Sequence, residues 1–183
     1  MRESVLILCR NDRETILYAA EELKRYLSLA GVSVWTSVGE AHSQYMKTLE
    51  LAVAPEEFRV KEGQCMERPS HSVWQNADAY AITVTDLGGT IRGSNNRSVL
   101  LGAYRYLKEL GFAFLRPDRE GERIPAAVGP HTVKIREEAS SRYRGICIEG
   151  AVSFENIMRF VTWLPKAGFN TYFTQFKIPY EFF

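Results

Sequence analysis

Two rhythms of apolar and polar positions run along the chain, and the switches between them mark its elements. Ser4 to Cys9 is a short apolar run of strand length. Asn11 and Glu14 follow at the spacing of a capping box, which predicts a helix from about Arg13 to Ala30. Within it Ile16, Ala20, Leu23, Leu27 and Ala30 recur every three or four residues, and Gly31 ends it. Val32, Val34, Thr36 and Val38 alternate as a strand does, and Leu49 to Ala54 is another apolar run, stopped by Pro55. From Pro55 to Asp78 no period is sustained, so the stretch reads as a long surface excursion.

Ala79 to Thr85 resumes the strand rhythm with Tyr80, Ile82 and Val84 on one face. Gly88-Gly89 predicts the turn of a hairpin returning through Thr90-Ile91-Arg92. A second helix is expected from Ser94 to Leu110, with Ser94 as its cap and Val99, Leu100, Ala103, Tyr104, Leu107 and Leu110 as its apolar stripe. Phe112 to Leu115 is apolar, Arg116 to Pro125 is rich in turn residues, and His131 to Arg136 offers one more alternating strand before a polar boundary at Glu137 to Ser141. The pattern then changes. Tyr143 to Ile148 predicts a buried strand, Ser153 caps a helix carrying Phe154, Ile157, Phe160, Val161 and Leu164, and Thr171 to Phe176 predicts a second strand. Pro165 falls in that helix's last turn, where the helix should end or kink. A strand, helix and strand in this order call for parallel pairing with a right-handed crossover. The expected fold class is α/β: a mixed sheet with helices packed on one face, followed by the first strand-helix-strand of a TIM barrel.

Composition narrows the function. Of 183 residues 45% are hydrophobic and 25% charged, which excludes a disordered chain or a coiled coil. The 23 Lys+Arg against 22 Asp+Glu leave a formal charge of +1 and no basic patch, so no nucleic-acid partner is expected. No apolar run approaches the roughly 20 residues of a membrane span. The acid-interrupted start, Met1-Arg2-Glu3-Ser4, does not read as a signal peptide, and the expected location is cytoplasmic. Cys9, Cys65 and Cys147 are far apart and read as reduced core residues; His42, His71 and His131 are equally scattered. No metal or cofactor is expected.

The loop Gly93 to Arg97 sits between a strand and a helix but lacks both common phosphate-loop spacings, so it reads as a helix cap, and a nucleotide-dependent enzyme is the weakest of the functional readings. The pairs Glu21-Glu22, Glu56-Glu57 and Glu137-Glu138 read as solvated charge. Glu149 differs, because it follows an apolar strand and stands at its carboxyl end, where parallel α/β units place ligand-contacting groups. Gln175 has the corresponding place on the next strand. For both, substrate contact and a hydrogen bond to loop backbone stand as alternatives. Trp163, Phe169, Tyr172, Phe173, Phe176, Tyr180, Phe182 and Phe183 make the tail strongly apolar. This predicts association, either with further barrel repeats or with another copy of the chain.

Two stretches carry a family resemblance. Ile91-Arg92-Gly93-Ser94-Asn95-Asn96-Arg97-Ser98-Val99-Leu100-Leu101-Gly102-Ala103-Tyr104, with Leu110-Gly111-Phe112, Pro117 and Gly121-Glu122-Arg123-Ile124-Pro125, resembles the small α/β domain that precedes the catalytic barrel in family 20 β-hexosaminidases and family 67 α-glucuronidases. Arg142-Tyr143-Arg144-Gly145-Ile146-Cys147-Ile148-Glu149 resembles the segment that opens their barrel. The resemblance implies a hexosaminidase/glucuronidase-like accessory domain over 1–139 and a truncated beginning of a (β/α)8 barrel over 140–183. It also implies a parent glycoside hydrolase acting on carbohydrate, whose catalytic acid lies on later strands. No catalytic residue is then expected here, and the chain alone should be inactive. The family 20 sugar-binding arginine has no counterpart, since Glu149 is followed by Gly150-Ala151-Val152-Ser153. The alternative is a stand-alone, non-catalytic carbohydrate-binding or scaffolding module.

Overall fold

A computed structural model describes residues 4–40, 47–58, 77–149 and 153–175. The first apolar run forms β1 (Ser4–Cys9), and the helix after it is α1 (Glu14–Leu29). Then come β2 (Ser33–Val38), β3 (Lys47–Val53), β4 (Ala79–Thr85), β5 (Gly88–Gly93) and α2 (Asn96–Glu109). Six strands make one mixed sheet in the order β2-β1-β3-β5-β4-β8, closed at one edge by β8 (Thr132–Glu138). Strands β2, β1, β3 and β5 run parallel, while β4 is antiparallel to both β5 and β8.

Alternation builds the core. Val5, Ile7 and Cys9 of β1, Leu49 and Leu51 of β3, Ile82 and Val84 of β4 and Ile91 of β5 belong to one buried cluster with the predicted helix stripes. All five expected positions of α1 and all six of α2 are buried there. Helices α1 and α2 also pack on each other over the sheet. Each buried Leu or Ile side chain stabilises by about 1.5–3 kcal/mol, so this layer dominates the stability of the fold.

Several local expectations are corrected. Helix α1 starts at Glu14 with Arg13 as a cap that makes no side-chain cap bond; Asn11 Oδ1 instead accepts from Arg13 N at 3.2 Å, an Asx turn ahead of the helix. Asn95, not Ser94, caps α2, its Oδ1 accepting from Ser98 N at 2.9 Å. The Ser94 hydroxyl is taken elsewhere, donating to Ala77 O and accepting from Ala79 N. The hairpin turn lies at Asp86-Leu87, with φ of 47° and 68°, and Gly88-Gly89 open β5. Tertiary contacts hold these non-glycine residues in the left-handed region. Asp86 exchanges two 2.8 Å hydrogen bonds with the backbone of His131, and Leu87 is fully buried. Most of the Pro55–Asp78 excursion lies outside the described residues, apart from a 3-10 turn at Pro55–Phe58 and the buried Ala77 and Asp78.

Beyond α2, the two-residue strands β6 (Ala113–Phe114) and β7 (Glu122–Arg123) pair in the turn-rich crossing. The final unit is β9 (Gly145–Glu149), α3 (Phe154–Ala167) and β10 (Thr171–Gln175), with β9 and β10 parallel. Strand β9 starts two residues later than expected. A Cβ on Gly145 would lie 2.3 Å from Thr171 O, so the glycine permits the close approach of the two strands. Tyr143 stays outside the strand and 68% exposed. Cys147 is exposed rather than a core residue, because the face of β9 and β10 that also carries Phe173 is uncovered among the described residues. Pro165 is accommodated inside the last turn of α3, which closes at Gly168 with φ 89° and Phe169 N donating to Leu164 O at 2.9 Å. No helix among the described residues is long and apolar enough to cross a membrane.

Candidate functional site

Glu149 and Gln175 are the last residues of β9 and β10, and the parallel register pairs them directly. The two positions singled out from sequence are therefore neighbours at the carboxyl edge of one β-α-β unit.

What fixes that unit to the six-stranded sheet is an aspartate that the sequence reading passed over. Asp78, 2% exposed, precedes β4 and its carboxylate gathers donors from three segments. Arg97 Nε, from the first turn of α2, donates at 2.9 Å to Oδ1 and 3.2 Å to Oδ2. Arg144 Nη2, one residue before β9, and Asn170 Nδ2, one residue before β10, each donate to Oδ2 at 2.8 Å. Ser98 Oγ adds a 3.2 Å bond to Oδ1. Burial by itself would raise the Asp78 carboxyl, but hydrogen bonds from Arg97, Arg144 and Asn170 bring it down to about 2. Asn170 is doubly engaged, since its Oδ1 accepts from Arg144 N at 2.9 Å. The amino ends of β9 and β10 are thereby tied to the sheet.

A second polar cluster joins the same two parts through α3. Lys166, 8% exposed, donates 2.8 Å bonds to Tyr26 OH and Glu122 Oε1 and lies 3.8 Å from Glu22 Oε2. Tyr104 OH donates to Glu22 Oε2 at 2.7 Å. Burial opposes ionisation of Glu122, yet the bonds from Lys166 and Tyr26 hold its carboxyl below the ordinary range. Burial and the adjacent carboxylates push the Tyr26 and Tyr104 hydroxyls well above theirs, so both stay protonated as donors. Trp163 Nε1 completes the seam by donating to Phe114 O at 3.1 Å.

Two concavities flank these clusters. A cavity of about 270 Å³ lies between α2, the end of β8 and the last turn of α3, bordered by Lys108, Glu137, Arg144 and Lys166. Its charges are largely spent internally, with Glu137 accepting from both Tyr80 OH and Arg105 Nη1. A more open cleft of about 470 Å³ lies on the other side of Asp78, bordered by Thr15, Asn96, Arg97, Arg142, Tyr143 and Asn170. No sequence signal marked either. Their linings span 90 positions, from Asp78 to Gly168, and 156, from Thr15 to Thr171, and only the folded chain assembles them.

No protein-family model matches the chain, and neither does any curated protein. Among solved structures, CpGH84D superposes with a TM-score of 0.56 at 14% identity, over 94% of this chain and 27% of that one. A GH138 enzyme targeting pectin rhamnogalacturonan II superposes with a TM-score of 0.56 at 13% identity, over 93% of this chain and 24% of that one. The chain thus spans about a quarter of the length of each. These neighbours are glycoside hydrolases of families 84 and 138, so the likeness supports a glycoside-hydrolase-like fold without singling out family 20 or family 67.

Proposed function

We propose that this chain is the leading portion of a glycoside hydrolase, with 1–139 as an accessory domain and 140–183 as the start of a (β/α)8 barrel. The observation that carries the reading is the parallel β9-α3-β10 unit, which sets Glu149 and Gln175 in register at its carboxyl edge. Such an edge is where barrels gather substrate. The fold likeness to two glycoside hydrolases, over nearly all of this chain and about a quarter of theirs, supports it. The accessory domain anchors the barrel through Asp78 and Lys166, and Glu149 and Gln175 hydrogen-bond sugar hydroxyls. Glycosidic cleavage needs two positioned carboxyl groups, or one with help from the substrate, and the reading places the catalytic acid on later strands. The 183 residues alone have no hydrolase activity on this view.

The test is to read the coding sequence past codon 183 and assay the encoded product against a panel of aryl glycosides. About 200 further residues of strand-helix repeats, together with hydrolysis that falls on Glu149→Ala, uphold the proposal. A stop at that point, or an extension of unrelated pattern, overturns it in favour of a stand-alone module.

A further inference from the structure

The 470 Å³ cleft beside Asp78 has a lining whose chemistry is specific enough to name a ligand class. It lies at the amino ends of β9 and β10, away from the edge that carries Glu149 and Gln175. Its volume is within the range of small-ligand sites. Among the described residues two guanidinium groups border it and no carboxylate does. One wall is committed and rigid: Arg97 and Asn170 are held by Asp78, and the Asn95 carboxamide caps α2. The side chains of Thr15, Asn96, Arg142 and Tyr143 make no hydrogen bond or ion pair among the described residues. Arg142 forms no ion pair among the described residues; its guanidinium lies over the Tyr143 ring, 5.0 Å from the centroid. Tyr143 itself is 68% exposed, and the Asn96 carboxamide and Thr15 hydroxyl border the same space.

We propose that this cleft binds a pyranose bearing a carboxylate, the unit of a uronic-acid-containing glycan. An unpaired guanidinium selects a planar carboxylate by paired N–H donors. Carboxamide and hydroxyl groups match ring hydroxyls in both hydrogen-bonding senses. The aromatic ring supplies an apolar face that a sugar's C–H face uses and a bare inorganic anion does not. The pre-set wall lowers the ordering cost of binding. The proposal stands on the cleft alone and holds whether or not the parent protein hydrolyses a glycosidic bond.

Calorimetric titration of the 183-residue chain tests it with three probes: trigalacturonate, the neutral trisaccharide maltotriose, and inorganic phosphate. Saturable binding of trigalacturonate only, with amide and side-chain NMR shifts at Asn96, Arg142 and Tyr143, upholds the proposal. Arg142→Gln and Tyr143→Ala should each weaken that binding about tenfold, with circular dichroism unchanged. Absence of trigalacturonate binding, an equal response to phosphate or maltotriose, or shifts away from the cleft overturns it.

Discussion

Asp78 shows how much one side chain can decide. Its carboxyl titrates at about 2 in the fold against an ordinary 3.8, so the stability it contributes is fully present above about pH 4 and fades as pH falls toward 2. That difference corresponds to roughly 2 kcal/mol. Asp78→Asn should cost about 3 kcal/mol near neutrality, because Arg97 and Arg144 lose their shared counter-charge, and the gap to the parent should narrow in acid; urea melts at pH 7 and pH 2.5 measure both. Cysteine behaves oppositely at its two described positions. Burial, with Glu21 nearby, pushes the Cys9 thiol up to about 11, whereas Cys147 is exposed. Iodoacetamide at pH 8, followed by peptide mapping, should modify Cys147 well before Cys9. Their apolar strand-like runs marked both as core residues, which holds for Cys9 and fails for Cys147; what separates them is whether another layer covers the strand.

At the scale of elements, the helices were the most legible. A 3.6-residue apolar period depends only on one continuous face meeting the sheet, and Ile16 to Ala30 and Val99 to Leu110 meet it. Caps and turns were less so, because their side chains answer to distant partners: Ser94 is claimed by the chain entering β4, and Asp86 by His131. The turn from β5 into α2 is tight as well. A Cβ on Gly93 would fall 2.6 Å from Val99 N and 2.9 Å from Asn95 O, so Gly93→Ala should push the helix start off the strand and cost about 2 kcal/mol, measurable by thermal melting. Helix α3 is docked by charge in a buried setting. Lys166→Met leaves Glu22 and Glu122 with only the partly exposed Arg25, 3.3 Å from each, as counter-charge and should cost about 3 kcal/mol; adding Glu122→Gln should recover part of the loss in a double-mutant cycle. The period of α3 revealed its apolar face but gave no sign that a lysine would be buried on another.

For the whole molecule, the sheet class and the order of the last three elements were readable from pattern, since each follows from local periodicity and chain direction. The seam between them was not. Asp78 sits 66 residues from Arg144 and 92 from Asn170, and no periodic signal reaches so far. Apolar surface remains on the far side of that seam, where Phe154, Met158 and Val161 recur along an exposed stripe of α3 and Phe173 is 58% exposed. On its own the chain should therefore self-associate. Light scattering should show a mass that rises with concentration, and Met158→Glu should lower it. A concentration-independent monomer would remove this expectation.

The same seam has a consequence for biosynthesis. A ribosome delivers Asp78 and Arg97 first, and Arg144, Lys166 and Asn170 only later. Until those late residues emerge, three acids, Asp78 ahead of β4, Glu22 on α1 and Glu122 on β7, have only their earlier partners, Arg97 and Arg25. The early portion must therefore wait half-neutralised, and its last increment of rigidity arrives together with β9, α3 and β10.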